Sequence, residues 1–275
     1  LQSIDVSGNR LELEEMAKIG ETMLSNFKSK IAGIHTDEYN LKAETTTLNI
    51  HKMRIRPEAF VLLAGAVRAN TSLTSLNVSH NYMVEWAGHR RGKLIPVQLC
   101  GVQAMAKAIS DSTRNVTCNL QYLNMCSNSL GSDGAAAISI ILPNTALRTL
   151  NLRDNKLGDE GMAALEEGLA ESSLTALDLS DNAIRVSGTL ALARSLPKME
   201  KLIELRLAAN HVMGNGAIEA INGAGIKELA QAVSCGIVKR LDLSGNQLCG
   251  VWDDADTSRH GDLAGRFTVS GIEAV

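Results

Sequence analysis

Leucine residues recur at fixed positions in the middle of the chain and alternate there with polar residues. The block LRTLNLRDNKL at 147–157 returns as LTALDLSDNAI at 174–184, which is 27 residues later. Successive strand residues point to opposite faces, so Leu150 and Leu152 lie on one side of a short strand and Asn151 on the other. The pattern therefore predicts a short strand in each block, with a leucine face that must be buried.

Each predicted strand is followed by a polar turn and then by the spacing of a helix. The segment GDEG at 158–161 places acidic residues where the dipole of a helix N-terminus favours them. Met162, Leu165 and Leu169 follow at three- and four-residue spacing, which forms one apolar helical stripe. A single strand-and-helix unit cannot bury its own apolar face, so the repeats must stack with their strands parallel.

These blocks resemble the leucine-rich repeat family, and the repeat length and glycine-opened helix look like its ribonuclease-inhibitor-like subclass. The resemblance implies an α/β fold, a right-handed solenoid in a horseshoe arc with parallel strands on the concave face and helices on the convex face. Eight blocks fit the pattern, and they centre on Asn9, Met53, Asn81, Asn128, Asn155, Asn182, Asn210 and Asn246. We therefore expect about eight repeats in a single domain over 1–275. The turn asparagines should be buried, with their amides matched by backbone groups.

The first part of the chain follows the pattern least well. A helical stripe covers residues 11–30, but residues 31–44 carry no clear pattern before the second block. Met53 stands in the second block where the other turns carry asparagine. We therefore expect the first two repeats to be held less firmly than the rest.

Insertions are expected in three repeats. The distance from the turn asparagine to the helix glycine is six residues for Asn128, Asn155 and Asn182, and it is longer in three other repeats. The longer repeats place insertions near 82–100, 211–224 and 249–270. Each would leave the solenoid after a strand and before its helix, on one rim.

The inserted loops are the first candidate site. Two of them contain the only tryptophans of the chain, and long loops in compact repeats tend to be functional. Tryptophan and arginine are also enriched where proteins bind one another. The candidate partner-binding residues on the rim are Trp86, His89, Arg90, Arg91, Trp252, Asp253, Asp254 and Asp256. The alternative is that each tryptophan anchors its own loop and the charges are only solvated.

The concave strands offer a second candidate site. Small polar residues dominate their outward positions, and the row of asparagine and aspartate there is more typical of a scaffold than of a charge-based site. The larger exceptions are Tyr122, Arg153, Glu204 and Arg206.

Composition narrows the classes of partner. A net charge of −3 and a pI near 6.1 favour neither nucleic acid nor an anionic membrane as the partner. No apolar run approaches the ~20 residues of a membrane span. The five cysteines show no spacing that suggests pairing, which favours reduced thiols and an intracellular, cytoplasmic protein. The chain starts directly on a repeat without Met, so we expect a piece of a longer protein.

Catalytic and metal-binding motifs are missing from the sequence. It contains no HExxH, GxxxxGK[ST] or GxSxG pattern. His51 and His80 should lie about 5 Å apart on adjacent strands, but no third ligand has a fixed spacing to them. We therefore expect no enzyme and no cofactor. The expected function is a protein–protein interaction scaffold that binds a protein through the concave face and the rim loops. The alternatives are a regulator of a small GTPase, as in GTPase-activating proteins, and the ligand-sensing part of a larger receptor.

Overall fold

The computed structural model describes residues 1–26, 29–90, 93–110, 119–143, 145–213, 223–234, 237–246 and 248, with the backbone alone over 86–98. The helices are α1 (Leu13–Ser25), α2 (Pro57–Ala69), α3 (Cys100–Ser110), α4 (Gly131–Ser139), α5 (Gly158–Ala170), α6 (Val186–Ser195) and α7 (Ala224–Val233). The strands are β1 (Ser3–Asp5), β2 (Gly33–His35), β3 (Asn40–Leu41), β4 (Thr47–Asn49), β5 (Ser75–Asn77), β6 (Glu85–Arg90), β7 (Lys93–Gln98), β8 (Tyr122–Asn124), β9 (Thr149–Asn151), β10 (Ala176–Asp178), β11 (Glu204–Arg206) and β12 (Arg240–Asp242). A short 3₁₀ helix, Leu196–Lys198, follows α6.

Seven strands form one parallel sheet in the order β12-β11-β10-β9-β8-β5-β4. Their central leucines pair in register: Leu48, Leu76, Leu123, Leu150, Leu177, Leu205 and Leu241. Each helix from α1 to α6 contacts the next one along the chain, and the leucine side of the sheet joins the helices in one core. The expected stacking of strand-and-helix repeats is confirmed, and the chain is an α/β repeat solenoid.

The buried turn asparagines join neighbouring repeats. Asn155 is fully buried, and its Nδ2 donates to the carbonyl oxygens of Met125, Leu152 and Arg153 at 2.9–3.1 Å. Its Oδ1 accepts the backbone N–H of Asn128 at 3.0 Å. The same kind of bond links the turns of the following repeats. The expectation that backbone groups match these amides is confirmed in full for four turns, those of Asn81, Asn155, Asn182 and Asn210. It is wrong for Asn9, which is exposed. Met53, which replaces one of the asparagines, is 41% exposed.

The N-terminal strands form a sheet of their own, which the sequence analysis missed. β1 pairs in parallel with β2, and β3 pairs antiparallel with β2. Residues 31–44 thus contain two strands that the leucine-and-asparagine pattern does not mark. Asn70 holds this segment against α2, because its Nδ2 donates to the carbonyl oxygens of Ala32 and Lys42 at 2.8 and 2.9 Å. The first helix is also shorter than the expected 11–30.

Candidate functional site

The side of the seven-stranded sheet that carries the third residue of each strand is here called the sheet face. Six of these seven third residues are asparagine or aspartate: Asn49, Asn77, Asn124, Asn151, Asp178 and Asp242. Each accepts, through Oδ1, the backbone N–H of the residue two places on, at 2.9–3.2 Å. Such Asx turns end the strand locally. These side chains are therefore used by the scaffold itself, which is what the sequence analysis expected of the row.

Arg206 interrupts this row and forms an ion-pair network instead. Its Nη2 lies 2.5 Å from Glu204 Oε1, and its Nη1 lies 3.8 Å from Asp178 Oδ2. Arg240 approaches the other oxygen of Glu204, with Nη2 at 2.5 Å and Nε at 3.1 Å. Hydrogen bonding from Arg240, with the charge of Arg206 beside it, holds the pKa of Glu204 below its usual range. One carboxylate thus sits between two guanidinium groups.

A shallow depression of about 540 Å³ lies over this network and extends to β8. It brings together three candidates from the sequence, Tyr122, Glu204 and Arg206, and adds Ile203 and Arg240. Tyr122 and Ile203 are 37% and 39% exposed, which is high for large apolar side chains. Arg240 was not among the sequence candidates, although it occupies the first position of its strand, as Tyr122 and Glu204 do.

Arg153, the fourth candidate on the sheet, lies two residues beyond β9 and is exposed. It does not line the depression. Its positive charge is close enough to Asp242 to lower the pKa of that carboxyl, although the hydrogen bonds from Ser244 contribute more. Among the described residues it forms no ion pair.

The insertion near 82–100 is an antiparallel hairpin of β6 and β7. Trp86, His89 and Arg90 lie on β6, and Arg91 lies outside the described residues. The base of the hairpin is tied to the preceding repeat, because Arg56 Nη2 lies 2.8 Å from both carboxylate oxygens of Glu85. Trp252, Asp253, Asp254 and Asp256 also lie outside the described residues, as do 214–222 of the second insertion.

The first two insertions leave the solenoid in the same way. In regular repeats the residue after the turn asparagine has a left-handed backbone, with φ of 54° at Ser129 and 57° at Lys156. Tyr82 and His211 do not, and their N–H groups donate to the carbonyl oxygens of the preceding repeat, Ile55 and Ile184, at 3.0 and 2.7 Å. The departure point is thus the residue directly after the asparagine.

This departure interrupts the asparagine ladder at two places. In regular repeats the Oδ1 of a turn asparagine accepts the N–H of the preceding turn asparagine. Asn128 and Asn246 each follow a repeat with an insertion, and their buried Oδ1 atoms have no hydrogen-bond partner among the described residues. Each of the first two insertions therefore removes one hydrogen bond between its repeat and the next.

His51 and His80 lie next to each other as their spacing predicts. Their ring centroids are 4.9 Å apart in an edge-to-face arrangement, and His51 Nδ1 lies 2.8 Å from Ser79 Oγ. Burial, together with Lys52 and His80, lowers the pKa of His51. Within the described ranges, no group of three or more His, Cys, Asp or Glu side chains could hold a metal ion. The pair has no third ligand there.

A family model for the leucine-rich repeat matches residues 69–82, 117–139, 144–165 and 171–193. These four segments support membership of the leucine-rich repeat family. The matched segments contain the turns of Asn81, Asn128, Asn155 and Asn182. A comparison with curated proteins gave no significant match. Leucine-rich repeats commonly serve as protein-interaction modules and are generally not enzymes.

The structure also bears on membrane spanning. In the part of the chain that the structure describes, every helix is too short or too polar to cross a membrane.

Proposed function

We propose that this chain is a protein-interaction scaffold that binds a protein partner through the sheet face and the inserted loops. The observation that carries the proposal is the depression over β8–β12. Tyr122, Ile203, Arg206 and Arg240 are exposed there, whereas the neighbouring Asn and Asp side chains are occupied by Asx turns. Tyrosine and arginine supply much of the binding energy at protein interfaces.

The proposal includes the shape of the solenoid. A right-handed horseshoe of about eight repeats, of the ribonuclease-inhibitor-like subclass and forming one domain over 1–275, would place the sheet face on the concave side. A partner seated there would also meet a rim loop. Trp86, His89, Arg90 and Arg91 are the proposed contacts of the first insertion, and Trp252, Asp253, Asp254 and Asp256 those of the third.

The test is capture of partners from a lysate of the source cells, with chemical crosslinking, by the whole chain and by three variants. The face variant combines Tyr122→Ala with Arg206→Gln, and the loop variant shortens 82–100 to the length found in regular repeats. The control is Arg194→Gln on α6, because Arg194 forms a comparable ion pair with Glu166 on the helical side at 2.6 Å.

We expect the face variant to lose a partner that the Arg194→Gln protein retains, with a loss of about 2 kcal/mol or more for a buried interface anchor. Loss with the loop variant alone would assign that partner to the first insertion. Circular dichroism and the urea midpoint of each variant would show that it is folded. Identical sets of crosslinked proteins from all four folded chains would overturn the proposal.

A further inference from the structure

We propose that one half of the sheet face binds an acidic segment of a protein partner in an extended conformation. This inference rests on the proposed function and adds the chemistry of the partner. It follows from how charge, exposure and apolar surface are distributed over the exposed positions of the seven strands.

Charge on the sheet face is confined to the four strands β9–β12. For each strand, the four positions compared are the residue before it, its first and third residues, and the second residue after it. Of the residues at these positions, Ser79 and Ser180 are buried and the others are exposed or half-buried. On β4, β5 and β8 these positions contain no Asp, Glu, Lys or Arg. On β9–β12 the same positions contain five basic residues, Arg148, Arg153, Arg206, Lys239 and Arg240, and three acidic ones, Asp178, Glu204 and Asp242. This set of β9–β12 positions, which we call the charged half, is therefore basic in a chain whose net charge is −3.

The two signs of charge lie at different depths. All five basic side chains of the charged half are exposed, and all three acidic ones are half-buried. The side chains of Arg206 and Arg240 are 53% and 68% exposed, against 15% for Asp178 and 16% for Glu204. A molecule that approaches the charged half therefore meets guanidinium and ammonium groups first, and the carboxylates lie beneath them.

The recessed carboxylates are also already occupied. Asp178 and Asp242 accept backbone N–H groups of their own turns, and Glu204 accepts from Arg240 while pairing with Arg206. The guanidinium groups keep unused donors, since each carries five N–H bonds in a planar fork that suits a carboxylate. The partner that complements this surface therefore presents carboxylates.

The apolar part of the depression sets a second requirement. Tyr122 lies on β8 and Ile203 lies directly before β11, and both exposed side chains line the same depression as the ion-pair network. From β8 to β12 there are four strand spacings, or about 19 Å at ~4.8 Å each, which matches about six residues of extended chain. Successive side chains of an extended segment point to opposite faces, so acidic and apolar residues that occupy every second position in turn would place both kinds of side chain on this surface.

A nucleic acid fits the charged half less well than an acidic protein segment. A nucleic-acid strand carries a negative phosphate at every nucleotide. The charged half contains three carboxylates among its five basic side chains, and these carboxylates would repel such a continuous row of phosphates. Binding of single strands also relies on stacking of successive bases on aromatic side chains. Tyr122 is the one Phe, Tyr or Trp residue at the compared positions of the seven strands, and it lies at the edge of the charged half, on β8.

The probe is a short fluorescein-labelled peptide of the type Glu-Ser-Leu-Ser-Glu-Ser-Leu, in which Glu and Leu share one face of an extended chain. It is titrated with the whole chain by fluorescence anisotropy. Peptides with Gln or Lys in place of Glu, and a single-stranded oligonucleotide, serve as competitors. Arg206→Gln and Arg240→Gln are the test variants. Arg194→Gln is the matched control, because Arg194 is 59% exposed and paired with Glu166 at 2.6 Å.

We expect the Glu peptide to bind, and each test substitution to raise its Kd by about two- to fivefold, as for an exposed ion pair. The Arg194→Gln protein should bind as the unmodified chain does, and added salt should weaken binding. Equal competition by the Gln or Lys peptide or by the oligonucleotide would overturn the inference, as would an equal loss in the Arg194→Gln protein.

Two further measurements distinguish a protein partner from a different occupant of the charged half. If the Glu peptide binds only after Asp253, Asp254 and Asp256 are changed to Asn, the charged half belongs to an acidic segment of this chain itself, and the inference is wrong. A partner that is captured through the sheet face but not displaced by the Glu peptide would leave the proposed function standing and overturn this inference alone. If no captured partner depends on the sheet face, the proposed function fails first.

Discussion

At the residue scale, the turn after each strand depends on backbone conformations that side chains other than glycine rarely adopt. Asp181 and Ala183, which flank the buried Asn182, have φ of 57° and 55°. A left-handed backbone brings Cβ close to the following carbonyl oxygen and costs roughly 1–2 kcal/mol per residue. The hydrogen bonds of Asn182 between adjoining turns offset this cost. Its Oδ1 accepts the N–H of Asn155, and its Nδ2 donates to three backbone carbonyl oxygens.

The same substitution, alanine to glycine, should have opposite effects at two exposed positions. Ala183→Gly removes the left-handed strain, and this gain is reduced because glycine loses more conformational entropy than alanine on folding. The net effect should be a rise of roughly 0.5–1 kcal/mol in the free energy of unfolding. Ala163→Gly, in the middle of α5, should lower it by about 0.5–1 kcal/mol. Urea denaturation measures both. A fall in midpoint for Ala183→Gly would show that the turn strain is smaller than its backbone angle implies.

At the element scale, helices of neighbouring repeats cap one another. α6 begins after Arg185, whose side chain provides no cap. Asp159, in the first turn of α5, supplies one instead. Its Oδ1 accepts the backbone N–H groups of Arg185 and Gly188, both at 2.8 Å. The acidic residue that the sequence analysis placed at the start of its own helix thus also serves the next helix.

Removal of this cap should destabilise the chain. Asp159→Ala leaves two N–H groups at the start of α6 without their acceptor and should cost about 1–2 kcal/mol, as for other N-caps. Glu160→Ala is the control, since Glu160 is an exposed carboxylate in the same turn, and it should cost less than about 0.5 kcal/mol. Urea midpoints compare the two variants. Equal losses would mean that Asp159 acts through the dipole of α5 and not through α6.

At the scale of the whole molecule, the described repeats contact mainly their neighbours, so stability should vary along the chain. The N-terminal strands form a separate three-stranded sheet. Asn9 is exposed, and the Met53 turn next to this sheet also lacks the buried amide that each later turn has. The hydroxyl of Tyr39 is buried without a hydrogen-bond partner in the described part of the chain, which is a further cost there.

Hydrogen exchange should therefore be fastest at the N-terminal end. We expect the amides of residues 31–58 to exchange at least about tenfold faster than those of 147–182, where turn asparagines link successive repeats. Mass spectrometry of peptides from the intact chain would measure both regions in one experiment. Equal protection would show that the two sheets open as one cooperative unit.

Part of this architecture could be predicted from the sequence, because its causes are local and repeated. Leu150 and Leu177 are buried where the 27-residue offset places them, and Asn155 is buried as its place in the turn requires. The start of the first two insertions could also be predicted, because the number of residues between the turn asparagine and the helix glycine exceeds the regular six in those repeats. Each of these depends on a short segment whose spacing recurs, so one repeat predicts the next.

Other features depend on how repeats lie against each other, and only the tertiary structure decided them. Arg240 reaches Glu204 across 36 residues because β12 pairs with β11 in register, and no pattern within either repeat contains that contact. The separate sheet of β1–β3 was missed because residues 31–44 share neither the leucine spacing nor the turn asparagine. The exposure of basic groups on the charged half is likewise a result of folding. Acidic and basic residues are interspersed in the sequence, but in the structure the basic side chains are exposed and the carboxylates are half-buried beneath them.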